Sequence, residues 1–236
     1  MEGASVGRAS GGDVAKQFAA SFSKLKNFET CAFKYLKVDV QKQYTESSEQ
    51  LEWGGKVHTA FERAIKFGEP LPENMKPWQR WVTIAKRIPG EHLIEQKWAL
   101  TRDFKPTEYF GPTVWWRGRG DFVAINDKIA VVLDWKTGAQ KHDSVQNLFT
   151  SVCVFAHHPE VERIRSSFIW LQDDCSSSDD YTRDSAAKEL KSGVLERVAE
   201  LEQAHLTQVF PKRPSGLCVK WCPVDVCEFH KKGTPR

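Results

Sequence analysis

Residues 114–138 read VWWRGRGDFVAINDKIAVVLDWKTG, and they carry the clearest indication of the fold. Its two apolar runs predict neighbouring strands over 114–125 and 128–136, and the Asn-Asp pair between them predicts a tight hairpin turn. The nearly continuous apolar run 129–133 is typical of a central strand that is covered on both faces. These residues therefore predict a hairpin at the centre of a β-sheet that is covered on both faces.

The flanking segments predict helices on both sides of the hairpin and two further strands. Apolar residues at helical spacing predict the helices, and short apolar runs predict the strands. Ser185 is the predicted N-cap of the last helix, and the polar segment around Cys175 is predicted to be a loop. The predicted helices cover 23–36, 48–67, 77–88, 144–156 and 185–209, and the predicted strands cover 93–101 and 163–172. This order predicts an α/β fold with a central mixed β-sheet flanked by helices.

Composition limits the class of protein. The chain has 236 residues, of which 40% are hydrophobic, enough for one large domain with a core. The net charge of +3 excludes a uniformly basic nucleic-acid coat and leaves room for a local basic groove. Since no run of about eighteen apolar residues occurs, we expect no membrane span. The small, polar segment 1–13 lacks the apolar run of a signal peptide, and we expect a flexible tail on a chain that stays in a reducing cytoplasm.

Two acids and a lysine are predicted to meet at the open end of the hairpin. Asp121 lies on the first strand and Asp134 ends its partner. Residues two apart on a strand face the same side, so Lys136 projects beside Asp134. Carboxylates hold hard divalent cations, a metal polarises a phosphodiester, and an ammonium offsets charge on the phosphate. A surface ion pair is the alternative, but an unpaired charge directly after a buried strand would be costly. The three residues therefore predict a minimal phosphodiesterase site.

Further segments resemble the RecB-like family of PD-(D/E)XK nucleases, in that family's motif order. They are SFSKL at 21–25 followed by Cys31, GGKVHTAFE at 54–62, DWKTG at 134–138, and Gln146 in the following helix. Asn147 and Thr150 depart from the family, which often has an apolar and an aromatic residue there.

This resemblance implies a restriction-endonuclease-like core and specific roles for the site residues. It implies that His58, Asp121 and Asp134 bind Mg²⁺ or Mn²⁺. Lys136 would position the attacking water, and Gln146 would brace the site or the scissile phosphate.

The cysteines near the chain's end predict a second site. Cys218, Cys222 and Cys227 have a spacing typical of metal ligands, and Cys31 stands far from them in the sequence. The resemblance implies that these four hold a [4Fe–4S] cluster, and four thiolates also suit zinc. Such a site would fasten a Cys-rich segment, 211–236, back onto Cys31 of a nuclease domain spanning 14–210. Reduced, unpaired cysteines in a loop are the alternative.

Basic and aromatic residues near the hairpin are candidates for contacts with DNA. Arg117 and Arg119 precede Asp121, and Lys24 opens the first helix, so all three could contact phosphates. Three tryptophans, with a place in the core as the alternative, could stack on an unpaired base: Trp115, Trp116 and Trp135. The glycines at 118 and 120 are expected to allow the close approach of a ligand.

The resemblance implies a metal-dependent exonuclease that degrades DNA from its ends in recombination, repair or phage DNA metabolism. One alternative is a structure-specific or CRISPR spacer-processing endonuclease, and another is a non-cleaving DNA- or protein-binding module on a nuclease fold. The sequence holds no GxxxxGK[ST] phosphate loop and so no helicase motor. Besides DNA, a single-strand annealing or recombination protein is an expected partner. Some relatives form rings, so an oligomer remains an alternative to a monomer. Stand-alone relatives of this size indicate the cytoplasm of a prokaryotic or phage-infected cell.

Overall fold

A five-stranded mixed sheet forms the centre of the molecule, with its strands in chain order. The computed structural model describes residues 18–45, 48–141 and 143–233, and the predicted tail over 1–13 lies outside them. Neighbouring strands are antiparallel except for the parallel pair β3 and β4. The strands are β1 (Glu91–Leu100), β2 (Trp116–Asn126), β3 (Ile129–Lys136), β4 (Arg163–Trp170) and β5 (Cys175–Thr182). The predicted α/β fold with a central mixed sheet is confirmed.

Helices cover both faces of this sheet. One core cluster joins one face to α1, α2, α5, α6 and α7, and a second joins the other face to α3 and α4. In the described part of the chain, no helix is both long and apolar enough to cross a membrane. The helices are α1 (Phe22–Thr30), α2 (Ala32–Tyr35), α3 (Glu49–Phe67), α4 (Gln79–Arg87), α5 (Ser144–His157), α6 (Arg183–Glu189), α7 (Leu195–Thr207) and α8 (Leu217–Lys220).

The predicted hairpin is present, with both of its strands buried. Asn126 pairs with Ile129 across a two-residue turn, in which Asp127 adopts a positive φ of 51°. Along β3, Val132 packs into the first cluster and Leu133 into the second. The continuous apolar run of β3 is therefore explained by burial on both faces.

Helix α3 follows the sequence pattern closely. The Ser48 hydroxyl accepts a hydrogen bond from the Leu51 backbone N–H at 3.2 Å and caps the helix, while Gly68 ends it with a φ of 72°. Val57 and Phe61 lie one turn apart and are both buried against the sheet. This packing fixes the helix over the hairpin.

The last long helix differs from the prediction at its start and in its middle. Thr182 rather than Ser185 is the N-cap, and the two side chains form a reciprocal capping box with each other's backbone N–H groups. The helix is then interrupted over Leu190–Val194, where Ser192 leaves helical geometry and Gly193 adopts a φ of 114°. Helical periodicity continues across this break, so the apolar pattern alone did not reveal it.

The segment predicted to be a loop around Cys175 is the edge strand β5. Its sequence CSSSDDYT carries little of the apolar alternation that indicates a strand, and Tyr181 is its one buried apolar side chain in the described structure. Cross-strand contacts hold it instead: Arg165 pairs with Asp180 at 2.8 Å, and the Trp170 indole donates to Ser177 at 3.0 Å. A polar edge strand of this kind escapes a hydrophobicity pattern.

Candidate active site

The candidate site lies where β2 and β3 part. The last paired residues of the hairpin are Phe122 and Leu133, and Asp121 and Asp134 come next on the two strands. Both acids are buried, with 6% and 8% of their surface exposed. Beyond this point β3 stays paired with β4, ending at Lys136. The parting of the strands thus brings two buried acids face to face, as the sequence predicted.

His58 joins these acids from α3. Its Nδ1 lies 3.2 Å from Asp121 Oδ1 and 3.8 Å from Glu95 Oε1. Within the described residues, His58, Glu95 and Asp121 are the one group of metal-ligand side chains with all ligand atoms within 4.8 Å. The other Asp121 oxygen accepts the Trp135 backbone N–H at 2.9 Å, which fixes the orientation of the carboxylate. Oδ1 is left facing His58 and Glu95.

Glu95 was missed by the sequence analysis, and backbone geometry explains why. It adopts a φ of 53°, a left-handed conformation that is uncommon outside glycine. Leu93 and Trp98 are an odd number of residues apart, yet both pack in the same core cluster. The left-handed residue therefore shifts the phase of side-chain alternation along β1, and the acid is turned towards Asp121. Strain of this kind is often found at functional sites.

Asp134, Lys136 and Gln146 form a closed set of polar contacts next to this group. Gln146 donates its amide to Asp134 Oδ1 at 2.6 Å and accepts from Lys136 Nζ at 2.8 Å. Lys136 Nζ also lies 2.5 Å from Asp134 Oδ2 and 4.9 Å from the Phe168 ring centroid. The ammonium is therefore held in a fixed position. The predicted meeting of Lys136 with Asp134 is present, with Gln146 bridging them.

The residues after Gln146 have structural partners of their own. Asn147 is buried and donates to Asp179 at 2.8 Å, while its amide oxygen accepts the Ser166 hydroxyl at 3.0 Å. The Thr150 hydroxyl donates to the Gln146 carbonyl at 3.0 Å. Asn147 links α5 to β4 and β5 through hydrogen bonds, where the family often has apolar packing. Gln146 still reaches Asp134 and Lys136.

The electrostatics of the site reflect an excess of carboxylates. Burial lowers the pKa of His58, but hydrogen bonds to Asp121 and Glu95 and the charges of Asp121 and Asp134 outweigh it and raise the pKa to about 10. Burial, followed by the charge of Asp121, raises the pKa of Asp134 above its ordinary value, against the opposing effect of Lys136. Asp134 Oδ2 is buried and faces the Lys136 ammonium at 2.5 Å. A pocket with these carboxylates fits a divalent cation.

The three basic residues proposed to contact DNA occupy different places. Arg117 and Arg119 line a cleft that extends to Gln146. Arg119 Nε lies 3.4 Å from Glu95 Oε2, which ties it to the carboxylate group. Lys24 lies elsewhere: its ammonium donates to the Ala19 carbonyl at 2.6 Å and is close enough to His205 in α7 to help burial lower the pKa of that histidine. The cleft therefore brings two of the three together beside the acids.

Protein packing accounts for the two glycines before Asp121, and the core place that was the alternative for the three tryptophans is confirmed. A Cβ atom on Gly118 would lie 2.8 Å from Cys153 Sγ, and one on Gly120 would lie 2.7 Å from the Trp98 ring. Protein packing thus requires glycine at both positions, and the close approach of a ligand there stays a prediction. The three tryptophans proposed to stack on bases are buried core residues: Trp115, Trp116 and Trp135.

The four predicted ligand cysteines line one cavity of about 50 Å³: Cys31, Cys218, Cys222 and Cys227. The Arg213 backbone N–H donates to Cys31 Sγ at 3.4 Å, and the Ser215 N–H donates to Cys218 Sγ at 3.5 Å. The C-terminal segment is also held to the N-terminal helices by backbone contacts, such as Phe33 N–H to the Pro211 carbonyl at 3.2 Å. The two ends of the described chain therefore meet at this cavity.

Comparisons with known proteins bear on the whole chain. A crystal structure of a candidate exonuclease from Eubacterium rectale aligns with a TM-score of 0.54 and 14% identity, covering 93% of this chain and 90% of that one. The structure of the protein SSO0001 aligns with a TM-score of 0.45 and 12% identity over 92% and 90% of the two chains, a similarity too low to support an argument. No curated protein gives a significant match. The first alignment supports the fold alone.

A sequence profile gives the more specific result. The profile of the PD-(D/E)XK nuclease superfamily matches residues 19–228, a range that includes the hairpin, α3 and the cysteine cavity. This match covers most of the chain and agrees with the mixed sheet and the parted hairpin. The chain belongs to the PD-(D/E)XK nuclease superfamily.

Proposed function

We propose that this protein is a Mg²⁺- or Mn²⁺-dependent exonuclease that hydrolyses phosphodiester bonds from the ends of DNA. The observation that carries the proposal is the meeting of four ligand-type side chains and one lysine where β2 and β3 part: His58, Glu95, Asp121, Asp134 and Lys136. Carboxylates gathered without a metal repel one another, so their burial in one place has a functional reason.

The donor set suits a hard divalent cation. His58, Glu95 and Asp121 supply one nitrogen and two carboxylates with ligand atoms within 4.8 Å of one another, and Glu95 is the ligand that the sequence did not predict. Asp134 lies opposite Asp121 on β3 and adds a third carboxylate beside this group.

Asp121 would bind through Oδ1, since Oδ2 accepts the Trp135 N–H. A cation bound here would share the Asp134 carboxylate with Lys136 and Gln146. A cation bound here would polarise the phosphodiester and lower the pKa of a bound water.

Lys136 would act on the phosphate from its fixed position. Its contacts with Asp134 and Gln146 hold the ammonium in place before substrate arrives. An ammonium that is already in position stabilises the negative charge that develops on the phosphate during attack. It can also orient the attacking water. Gln146 contacts both Lys136 and Asp134, so its proposed role is to hold these two side chains in a fixed position relative to each other.

Action from DNA ends is the finer part of the proposal. It is supported by the sequence resemblance to RecB-like nucleases and by the Eubacterium rectale protein, which is described as a candidate exonuclease. Endonucleolytic cutting and binding without cleavage are the competing functions, and one assay separates all three.

That assay compares end-labelled linear DNA with covalently closed circular DNA, single- and double-stranded, in Mn²⁺ and in EDTA. The proposal expects metal-dependent loss of the linear DNA while the circles survive. Cutting of circles would replace the exonuclease by an endonuclease. Binding of DNA with cleavage of neither form in any divalent metal would identify a non-cutting module.

We further propose that the four cysteines hold a [4Fe–4S] cluster. Two backbone N–H groups on the cavity wall suit anionic sulfurs, those of Arg213 and Ser215. The family resemblance favours this cluster over zinc, which four thiolates would also suit.

Purification without oxygen tests the cluster directly. The expected result is a brown protein with about four irons and four sulfides per chain, and loss of the colour in Cys222→Ser. Cys175→Ser is the matched control, because Cys175 lies on the edge strand away from the cavity. Colourless protein containing zinc would replace the cluster by a zinc site, and metal-free protein would leave four reduced cysteines.

A further inference from the structure

The loop joining β1 and β2 carries an exposed aromatic side chain close to the cleft. Phe110 is 82% exposed, more than any other large hydrophobic residue in the described part of the chain. Single exposed apolar residues are common on protein surfaces and need no explanation by themselves. The neighbours of Phe110 give this one a specific chemical setting.

Phe110 belongs to a group of two rings and a guanidinium. The rings of Tyr109 and Phe110 meet edge to face, with centroids 5.0 Å apart. The Arg117 guanidinium lies 5.5 Å from the Tyr109 centroid and 5.4 Å from the Phe110 centroid. We name these three residues the aromatic platform. It combines an exposed π face with a positive charge, which together suit a nucleobase and its phosphate.

Hydrogen bonds hold the loop that carries the platform. Arg117 Nε donates to the Tyr109 carbonyl at 2.7 Å, joining the loop to β2. The Gly111 N–H donates to the Glu108 carbonyl at 2.9 Å and closes a turn around the two aromatic residues. The hydroxyls of Thr107 and Thr113 meet at 2.8 Å across the base of the loop. Because the loop is already ordered, binding to the platform costs little conformational entropy.

A continuous surface leads from the platform to the candidate active site. Tyr109 and Arg117 line the same cleft as Arg119 and Gln146. Arg117, Arg119 and Asp121 are spaced two apart on β2, so their side chains follow one face of the strand. Arg117 therefore lies about 13 Å along the strand from Asp121. A nucleic-acid strand in this cleft would pass the Arg119 guanidinium between the platform and the acids.

We propose that the aromatic platform binds an unpaired base of a single-stranded DNA end, while Arg119 contacts the backbone between that base and the scissile phosphate. This inference rests on the proposed nuclease function and names the form of its substrate. A single strand offers the face of every base for stacking, whereas a duplex hides all but its terminal faces. The platform therefore selects a single-stranded or frayed end over a blunt duplex.

Binding without divalent metal tests this inference apart from cleavage. Single-stranded DNA carrying the fluorescent base 2-aminopurine near its end is titrated with protein in EDTA. Stacking on the wild-type platform quenches the fluorescence. Phe110→Ala is expected to weaken binding roughly 5- to 100-fold and to remove the quenching, and Phe110→Trp is expected to restore both. Phe67→Ala removes a phenylalanine that is 70% exposed at the end of α3, and is expected to match the wild type.

Three results would overturn the inference. They are unchanged binding by Phe110→Ala, an equal loss of affinity for a blunt duplex, and a failure of the wild type to bind single strands. Phe110 is on the surface, so circular dichroism should show an unaltered fold in every variant. A protein that binds in this way and never cuts DNA would contradict the proposed nuclease function while leaving the platform in place.

Discussion

The candidate active site and the cysteine cavity both join distant parts of the chain, but they are held together differently. In the active site the acids are buried, and backbone or side-chain hydrogen bonds of 2.6–2.9 Å fix Asp121, Asp134 and Lys136. The cysteines are half-buried and lie among turns, with N–H to sulfur contacts of 3.4–3.5 Å. We therefore expect the sheet to hold the first region without a ligand, and we expect the second to depend on the group that its cysteines bind.

The strongest test of this contrast removes the lysine of the active site. Lys136→Gln keeps a hydrogen-bond donor near Asp134 but loses the positive charge. We expect DNA cleavage to fall by about 10²- to 10³-fold because the charge that develops on the phosphate loses its fixed cation. Initial rates on labelled linear DNA in Mn²⁺ measure the effect. Lys128→Gln, an exposed lysine paired with Glu162 beside the hairpin turn, should cleave at the wild-type rate.

The second test weakens the cysteine region and leaves the active site alone. We expect Cys31→Ser to lower the melting temperature by more than about 5 °C, because a bound group would no longer fasten the chain's ends together. Cleavage measured at low temperature should persist, since the hairpin does not depend on the cavity. Calorimetry and the DNA assay give the two readouts, with Cys175→Ser as control. A melting temperature equal to that of the control would mean that Cys31 holds nothing structural.

A smaller effect is expected from Gly118, which packs against α5. A Cβ atom there would lie 2.8 Å from Cys153 Sγ, so Gly118→Ala should lower the free energy of unfolding by about 1–3 kcal/mol. Adding Cys153→Ala removes the clashing sulfur, and the double variant should lose less than the sum of the single losses. Denaturant unfolding measures all three. Simple additivity would show that some other contact requires the glycine.

The smallest expected effect on the free energy of unfolding concerns backbone strain at Glu95. Its left-handed backbone costs about 1 kcal/mol in a residue with a side chain, so Glu95→Gly should leave the free energy of unfolding nearly unchanged. Gln96→Gly, at the neighbouring position, should lower it by about 0.5–1 kcal/mol. Calorimetric titration with Mn²⁺ should show weaker binding for Glu95→Gly alone. Equal destabilisation by the two glycines would remove the argument for strain at Glu95.

The parts of the site that sequence could predict depend on local rules. Asp121 and Asp134 follow from an uninterrupted hairpin register, and Lys136 follows from the two-residue period of a strand. His58 and Gln146 came from a family resemblance, since nothing in helical spacing alone aims α3 or α5 at the hairpin. Each of these predictions holds where the strand or helix continues without a break or bulge.

The parts that sequence did not predict depend on interruptions of that regularity. Glu95 reaches the site because a single left-handed residue shifts the phase of β1, and no pattern of residue types announces that change. β5 was assigned to a loop because polar cross-strand contacts replace apolar burial there. Phe110 gave no signal in sequence, because an exposed aromatic and a core aromatic look alike until the loop is folded.

The proposed metal-dependent cleavage is best tested by the Mn²⁺ dependence of DNA cleavage by the wild type, Asp121→Asn and Asp180→Asn. Asparagine at 121 can still accept the Trp135 N–H, so we expect the fold to be kept while the charge of a proposed metal ligand is lost. Asp180 is an exposed acid on β5 and serves as the control. We expect metal-dependent cleavage by the wild type and Asp180→Asn, and a loss of at least about 10²-fold in Asp121→Asn. Cleavage by Asp121→Asn at the wild-type rate, or wild-type cleavage that persists in EDTA, would contradict the proposal.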